Sequence, residues 1–312
     1  MGEEVTFKMV SFTSVESKHM FGYQVFLEEI EKSFGDKLKI EYLGAGEAID
    51  PFEQPDAVRN GVVDIVFTGA TYPEGVLPVA PAMEGSLLTP AAERSEGVFD
   101  MWQKVYKEQL NSVYLGRFLV NRLQHLYAGF DVSGLGDLKG RTFRASPAQE
   151  PLLKELGASA ILMSPSEIFT SLERGVIDGY GWPSVGMVDL GLGPLTEYRI
   201  DPGFYSGAGI MLMNADAMAR LPEPAQEEML KIGERVETRV AEDMRQLAQE
   251  ETEQIKSEFG VKILTLEGDE AKRYQELAYS GLWDQVLEAS PQEGQEFYDA
   301  TFKGRPLEAP LQ

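Results

Sequence analysis

One short phrase occurs twice in this chain of 312 residues. Residues 57–69 read AVRNGVVDIVFTG and residues 171–183 read SLERGVIDGYGWP, so Gly61 and Gly175 occupy equivalent places. A glycine that is followed by β-branched residues predicts the end of a helix and the start of a strand. Ligands of open α/β sheets bind beyond the carboxyl ends of the strands, so two such transitions indicate two lobes that face one cleft. The alternative is that Gly-Val-Ile-Asp is merely a common helix-to-strand transition.

The remainder of the chain also alternates between the two periodicities. Apolar residues recur every second position in predicted strands and every third or fourth position in predicted helices. This pattern predicts strands at residues 5–10, 38–43, 62–67, 141–145, 160–163 and 176–178, and helices at residues 21–34, 52–60, 93–109, 149–156 and 166–174. Residues 111–127 contain two further short apolar stretches. The alternation predicts α/β architecture.

A long helix is predicted at residues 223–259, between Pro222 and Gly260. Its apolar residues recur at spacings of three, four and eight, and they are Met229, Ile232, Val236, Val240, Met244, Leu247 and Ile255. A helix of this length would form a coiled coil or pack along two lobes. Because the stripe does not follow a strict heptad, we favour a helix that spans both lobes.

Composition excludes several classes of protein. The chain has 51 acidic and 28 basic side chains, with a formal net charge of -23, which disfavours binding to nucleic acid. No apolar run approaches the roughly 20 residues of a membrane-spanning helix. The first residues lack the charged and apolar regions of a secretion signal, so we expect that any signal has been removed or never existed. With no cysteine and two histidines, disulfides, a cysteine nucleophile and a histidine cluster are excluded.

Several stretches together resemble one known family. They are VRNGVVDIVFTG, then LGDLKGRTFRASPAQEPLLKELGASAILMSPSEIFTSLERGVIDGYGWP, then the long helix, and they extend over nearly the whole chain. In order and spacing they are similar to the solute-binding proteins of tripartite ATP-independent periplasmic (TRAP) transporters. The resemblance implies an α/β, two-lobed periplasmic binding protein fold (type II-like), with a ligand cleft between the lobes and a long helix bridging both.

The resemblance also implies an organisation and a function. Lobe I would comprise residues 1–124 and 208–250, and lobe II residues 125–207 and 251–312. Such a protein would act in the periplasm as a monomer, capture a small organic acid in a closing cleft and deliver it to the membrane subunits of a TRAP permease. It would be no enzyme, and no cofactor or metal is expected.

Arg144 occupies the position where this family binds the carboxylate of its ligand. The predicted strand at residues 141–145 independently places this side chain near a cleft, and a guanidinium can hold both oxygens of a carboxylate. The alternative is a structural ion pair between Arg144 and Glu167 or Asp178.

Trp182 and Gln124 are similar in position to two residues of the family branch that binds keto and hydroxy acids. In that branch a Trp follows the strand and a Gln lies about 20 residues before the Arg, and an acidic residue further on helps to hold a metal ion. Ser206 or Gly207 stands at that acidic position here, so we expect binding without metal. The alternative role of Trp182 is core packing, but the neighbouring glycines and Pro183 favour a loop.

Other candidates rest on position in the predicted strands alone. Six residues follow strand ends or precede the crossing back to the first lobe, and they are Phe12, Ser14, Thr68, Tyr72, Phe204 and Tyr205. They suggest a pocket with aromatic walls. With one strong arginine position, and with Arg122 open to a structural role, the residues favour a monocarboxylate with an apolar or aromatic body over a dicarboxylate.

Two other functions stay open on the sequence alone. A two-lobed domain of this kind could instead sense a ligand and signal to a partner protein. An α/β enzyme acting on an organic acid is the other alternative, although the sequence lacks a nucleophile elbow, a phosphate-binding loop and a dinucleotide fingerprint.

Overall fold

The computed structural model describes residues 4–120 and 122–307. Their strands are β1 (Val5–Ser11), β2 (Leu38–Gly44), β3 (Ile65–Gly69), β4 (Ser112–Leu119), β5 (Leu123–Ala128), β6 (Thr142–Ala145), β7 (Ser159–Leu162), β8 (Gly179–Pro183), β9 (Tyr198–Ser206), β10 (Gly209–Asn214) and β11 (Lys262–Thr265). Their helices are α1 (Phe21–Phe34), α2 (Gln54–Arg59), α3 (Ala82–Gly85), α4 (Pro90–Ser95), α5 (Val98–Leu110), α6 (Glu150–Glu155), α7 (Ile168–Glu173), α8 (Ala215–Met218), α9 (Glu223–Phe259), α10 (Gly268–Ala289) and α11 (Pro291–Thr301). The predicted α/β class is confirmed.

The described residues divide into two compact units. The first comprises residues 4–77, 88–120 and 208–244, and the second comprises residues 78–87, 122–207 and 245–307. Residues 78–87, which include α3, contact α10 and α11 in the second unit. No pattern in the sequence indicated this grouping.

Each unit contains one sheet, and the two sheets share a topology. The first has the order β2-β1-β3-β10-β4, in which β1 is parallel to both neighbours and β10 is antiparallel to β3 and β4. Taken from its other edge, the second has the order β7-β6-β8-β5-β9-β11, with β6 parallel to both neighbours and β5 antiparallel to β8 and β9. The strands β3 and β8 thus occupy equivalent positions, and each forms the last five residues of one copy of the repeated phrase.

The repeated phrase has the same backbone conformation in both units. Gly61 and Gly175 have φ values of 69° and 68°, a left-handed conformation that ends the preceding helix and favours glycine. The valines that follow, Val62 and Val176, are 65% and 55% exposed. Both strands therefore start later than predicted, four residues after the glycine. The predicted strands at residues 62–67 and 176–178 were wrong in their starts because β-branched residues also occur in this exposed connection.

The aspartates of the phrase join neighbouring strands in both units. Asp64 accepts a hydrogen bond from the backbone N–H of Lys8 at 2.7 Å, and Asp178 accepts one from the N–H of Thr142 at 2.8 Å. Each also pairs with an arginine, Asp64 with Arg220 at 2.9 Å and Asp178 with Arg141 at 3.3 Å. The repetition of this phrase has a structural cause, since an aspartate in the same place anchors the equivalent strand of each sheet, β1 in the first and β6 in the second.

The helix predicted at residues 93–109 is two helices. The first, α4, ends at Ser95, and α5 begins at Val98 after Gly97, whose φ of 82° interrupts helical geometry. The apolar spacing of the predicted helix belongs to α5, which buries Val98, Trp102, Val105 and Tyr106, whereas α4 buries Pro90 and Glu93.

The long helix α9 has the predicted bounds and contains 37 residues. Most of the predicted apolar stripe is buried, with Met229, Ile232, Val236, Val240 and Met244 fully inaccessible to solvent, while Leu247 is half-buried. The division between the two units falls within this helix, after Met244. Among the described residues, no helix has both the length and the apolar character needed to cross a membrane.

Candidate functional site

Arg144 lies in β6 of the second unit, near the carboxyl ends of three parallel strands. Only 2% of its surface is exposed. Its Nε donates a hydrogen bond to the carbonyl of Met163 at 3.1 Å, and one terminal nitrogen donates to the carbonyl of Gly181 at 3.1 Å. These carbonyls follow or belong to the neighbouring strands β7 and β8, so the backbone holds the guanidinium at the strand ends, where ligands of α/β sheets bind.

The two acidic residues considered as structural partners of Arg144 bind other groups. Asp178 pairs with Arg141 and accepts the N–H of Thr142. Glu167 accepts a hydrogen bond from the backbone N–H of Ser164 at 3.0 Å. Neither observation supports the structural alternative for Arg144.

Trp182 lies in the strand β8, whereas the sequence favoured a loop. Its ring belongs to a buried apolar cluster with Tyr127 and Tyr180, and the guanidinium carbon of Arg144 is 5.2 Å from the ring centroid. The glycines that suggested a loop have packing roles, because a Cβ on Gly179 would lie 2.4 Å from the carbonyl of Tyr127. The core packing of Trp182 is thus real, and its ring is also next to the proposed carboxylate site.

Gln124 forms a buried pair with a residue that the sequence analysis missed. The Nε2 of Gln149 donates a hydrogen bond to the Oε1 of Gln124 at 2.9 Å. The Oε1 of Gln149 accepts the backbone N–H of Ser146 at 2.9 Å. A Cβ on Gly207 would lie 2.5 Å from the Nε2 of Gln124. The signal that could have identified Gln149 is the helix-start pattern Ser-x-x-Gln at residues 146–149.

Phe204 and Tyr205 lie in β9, and both pack against α10. Phe204 contacts Tyr274 with ring centroids 5.6 Å apart, and Tyr205 contacts Tyr279 at 5.4 Å. The Tyr205 hydroxyl donates to the carbonyl of Ala148 at 2.6 Å, and burial raises the pKa of Tyr205 well above its usual value. Packing explains the burial of these two rings, and their contact with a ligand stays a prediction.

The candidates of the first unit surround an aromatic cluster. The ring of Phe12 meets those of Phe67 and Tyr72 edge-on, with centroids 5.7 and 6.1 Å apart, and Tyr72 also contacts Phe52 at 4.7 Å. Ser14 is exposed, and its hydroxyl accepts the N–H of Glu16 at 3.3 Å.

Thr68 is the polar candidate of the first unit that is fully buried. It lies in β3, and its hydroxyl has no hydrogen-bond partner within residues 4–120 and 122–307. A buried hydroxyl of this kind usually has a partner that is a protein group, a water molecule or a ligand. Thr68 therefore stays a candidate contact.

The residues described provide no obvious metal site. No group of three or more His, Asp or Glu side chains with suitable geometry occurs among them. At the position of the family's metal-binding acid, Ser206 ends β9 and Gly207 packs against the amide of Gln124.

A buried network of charged residues lies on β5 and β9, next to the strand of Trp182. Asp201 accepts hydrogen bonds from the Nε of Arg199 at 2.9 Å and from its terminal nitrogen at 3.0 Å, and it lies 3.0 Å from the Nδ1 of His125. Burial by itself would raise the pKa of Asp201, but His125 and Arg199 outweigh it and lower the pKa to about 2. Since His125 pairs with Trp182 in the ladder of β5 and β8, this network supports the strands of the candidate site.

We expect Asp201→Asn to lower the free energy of unfolding by about 2 kcal/mol at pH 7. The pKa of Asp201 is lower in the folded than in the unfolded protein, so its contribution is complete above the unfolded value and is lost as pH falls towards 2. The difference between the wild type and the variant should therefore narrow between about pH 5 and pH 2. Urea unfolding across this range measures it, with the exposed Asp131→Asn as control. If the difference in free energy of unfolding between the wild type and the variant is constant with pH, the pKa of Asp201 is not lowered by folding.

The comparisons with known proteins agree on one family. Residues 9–289 match the family model of the bacterial extracellular solute-binding proteins, family 7, called DctP. A curated relative, the monocarboxylate 2-oxoacid-binding periplasmic protein of Nostoc sp. strain PCC 7120, is 25% identical over 231 residues. That match covers 66% of this chain and 59% of the relative, so the chain spans less than two thirds of that protein.

Two solved structures have the same fold. The chain is similar to DctP7, a Bordetella pertussis extracytoplasmic solute receptor that binds pyroglutamic acid, with a TM-score of 0.83 and 20% identity over 95% of this chain and 99% of that one. It is also similar to a TRAP periplasmic solute-binding protein of Desulfovibrio salexigens with bound orotic acid, with a TM-score of 0.84 and 20% identity over 94% of this chain and 96% of that one. Since the family match extends over residues 9–289, the chain belongs to the DctP family of bacterial extracellular solute-binding proteins.

Proposed function

We propose that this protein captures a small monocarboxylate outside the cytoplasm and delivers it to a TRAP-type permease. The observation that carries the proposal is the buried guanidinium of Arg144 at the carboxyl ends of β6, β7 and β8. Its planar donors suit a carboxylate, and low exposure strengthens the pairing because little water competes. The family supports a receptor rather than an enzyme, so the ligand is expected to leave unchanged.

The chemistry around Arg144 favours a ligand that has an apolar or aromatic body and one carboxylate. The Trp182 ring lies beside the guanidinium and provides a flat apolar surface, on which a ring adds about 0.5–1.5 kcal/mol beyond burial. The amide of Gln124 supplies a polar group within the same unit. The ligands named for the relatives, namely 2-oxoacids, pyroglutamic acid and orotic acid, are carboxylates with a further carbonyl oxygen.

The compartment and the partner that we propose for this protein are those described for its relatives. The Nostoc relative and the Desulfovibrio protein are described as periplasmic, and the latter as a TRAP solute-binding protein. We propose a periplasmic monomer that acts with the membrane subunits of a TRAP permease. Co-purification of the chain with permease subunits from a neighbouring gene cluster tests the partner, and light scattering tests the monomer.

A thermal-shift screen against a library of carboxylates tests the proposal. A ligand at a hundred times its dissociation constant stabilises the folded state by about 2.7 kcal/mol, which is an increase of several degrees in melting temperature. We expect shifts with monocarboxylates such as pyroglutamate, orotate and aromatic 2-oxoacids, and the same shifts after treatment with EDTA. Quenching of Trp182 fluorescence should accompany binding, and Trp182→Phe should remove that part of the signal. No shift with any acid would overturn the proposal, and shifts with dicarboxylates alone would overturn the ligand class.

A further inference from the structure

Two neighbouring strands of the second sheet end in the same local motif. The sequence Ser-Pro-Ala-Gln follows β6 at residues 146–149, and Ser-Pro-Ser-Glu follows β7 at residues 164–167. In each, the side chain of the fourth residue accepts the backbone N–H of the serine, at 2.9 Å for Gln149 and 3.0 Å for Glu167. This bond is one half of a capping box, in which Glu and Gln serve equally well. Capping alone therefore gives no reason for Gln at position 149.

Gln149 has a second contact that Glu167 does not share. It is fully buried, and its Nε2 donates to the Oε1 of Gln124 at 2.9 Å, whereas Glu167 is exposed. The amide of Gln149 also lies so close to β8 that a Cβ on Gly181 would be 2.2 Å from its Oε1. The same Gly181 accepts the hydrogen bond of Arg144 through its carbonyl. The amide of Gln149 and the guanidinium of Arg144 thus contact one residue of β8.

The donors and acceptors of this chain determine the orientation of both amides. The backbone N–H of Ser146 can only donate, so the atom of Gln149 that faces it must be the oxygen. The other end of Gln149 must then be the NH2 group, and the atom of Gln124 that accepts from it must be an oxygen. The remaining group of Gln124 is its NH2 group, which lies next to the backbone of Gly207. A backbone N–H thereby determines which end of Gln124 is left for a ligand.

We propose that Gln149 is a positioning residue that presents the NH2 group of Gln124 to the ligand and so selects for an acceptor oxygen near the carboxylate. This inference rests on the proposed function, because it concerns the same carboxylate site. A carbonyl oxygen can accept from this NH2 group but cannot donate. A hydroxyl oxygen can do both. The present orientation therefore accommodates 2-oxoacids and 2-hydroxy acids, and the reversed orientation would exclude only the 2-oxoacids.

Gln149→Glu tests the inference with little change to the fold. The introduced carboxylate keeps the bond to the N–H of Ser146, but its second oxygen cannot donate to Gln124. The amide of Gln124 should therefore turn to donate its NH2 group to that carboxylate, which leaves its own oxygen towards the ligand. Calorimetry would measure the dissociation constants of phenylpyruvate and phenyllactate, two acids that differ only in the 2-oxo and 2-hydroxy groups. We expect the dissociation constant of phenylpyruvate to rise about tenfold or more relative to that of phenyllactate. The reason is that a carbonyl facing an acceptor leaves both groups without a hydrogen bond.

The ratio separates this effect from a general loss of affinity. The added negative charge weakens both acids alike, so it cancels in the ratio. Glu167→Gln, the matched change in the second motif, should leave the ratio unchanged. If Gln149→Glu does not fold, Gln124→Glu provides the second test, since its carboxylate accepts from Gln149 and turns an acceptor towards the ligand.

The outcomes for this inference and for the proposed function are distinct. If the wild type binds neither acid nor any other carboxylate, the proposed function fails. If the wild type binds both acids and Gln149→Glu shifts both constants equally, the positioning role of Gln149 is wrong while carboxylate binding stands. A pair of acids with smaller side chains, pyruvate and lactate, serves in the same way if the aromatic pair does not bind.

Discussion

Replacing Arg144 with alanine is expected to weaken carboxylate binding by at least about a hundredfold, which corresponds to roughly 3 kcal/mol. The guanidinium is almost completely buried, and its removal leaves the ligand anion without a positive partner in a region that little water reaches. Calorimetric titration with the best acid from the thermal-shift screen measures the loss. Circular dichroism and the melting temperature show whether the fold persists.

Arg144→Lys should also bind poorly, since an ammonium group cannot hold two carboxylate oxygens while bonding the carbonyls of Met163 and Gly181. Arg141→Ala is the matched control, because this arginine is three residues away in the chain but about half exposed and paired with Asp178. It should leave affinity unchanged within a factor of about two or three. Affinity close to that of the wild type in Arg144→Ala would place the carboxylate elsewhere.

Replacing Glu237 with leucine is expected to destabilise the protein by about 3–5 kcal/mol. This glutamate lies on α9 and is buried among charged groups of the first unit. Its two oxygens accept the backbone N–H of Arg117 at 2.9 Å and the Nε of Arg94 at 2.6 Å, while the Arg117 guanidinium pairs with Glu93. Without Glu237, the cluster retains two arginines and one glutamate, and a buried N–H loses its acceptor. Chemical denaturation measures the free energy of unfolding.

The same helix provides the control for this prediction. Glu242 is exposed, so Glu242→Leu should change stability by no more than about 0.5 kcal/mol. Glu237→Gln should give an intermediate loss, since an amide oxygen can still accept the N–H of Arg117. A loss below about 1 kcal/mol in Glu237→Leu would mean that water or a neighbouring group replaces the carboxylate.

Local periodicity was sufficient for most of the elements. The strand at residues 5–10, the helix at residues 21–34 and the long helix at residues 223–259 agree with the structure within one residue. Each of these elements has a more buried and a more exposed face, and the spacing of apolar residues along the chain indicates such a difference. The α/β class and the family followed from the order of such elements and from the motifs between them.

The predicted bounds of strands and helices were wrong where the apolar pattern and the secondary structure do not coincide. The strands after Gly61 and Gly175 begin later than their apolar residues suggest, because exposed Val62 and Val176 lie in the connection. The predicted helix at residues 93–109 breaks at Gly97. Apolar spacing cannot detect either event, because the exposed valines have the composition of a strand and the break at Gly97 lies before the apolar face of α5 begins.

In the candidate site, too, the sequence predicted the location of one side chain correctly and that of another wrongly. The motif around Arg144 was enough to predict an arginine at a strand end, and the structure places it near the end of β6, where it is also buried. Trp182 was expected in a loop, since glycines usually indicate one. The structure shows that Gly179 and Gly181 lie within a strand and allow close contacts with the carbonyl of Tyr127 and the amide of Gln149.

The sequence by itself determined the class of fold, the family and the position of the candidate carboxylate-binding arginine, because each of these is expressed in local spacing or in a contiguous motif. Only the tertiary structure decided how polar side chains pair, as in Gln149 with Gln124 across 25 residues and Glu237 with Arg117 across 120. Hydrogen bonds depend on distance and direction between atoms that folding brings together, and no periodicity along the chain records them. The orientation of the Gln124 amide follows from such bonds, and so does the ligand chemistry that we infer from it.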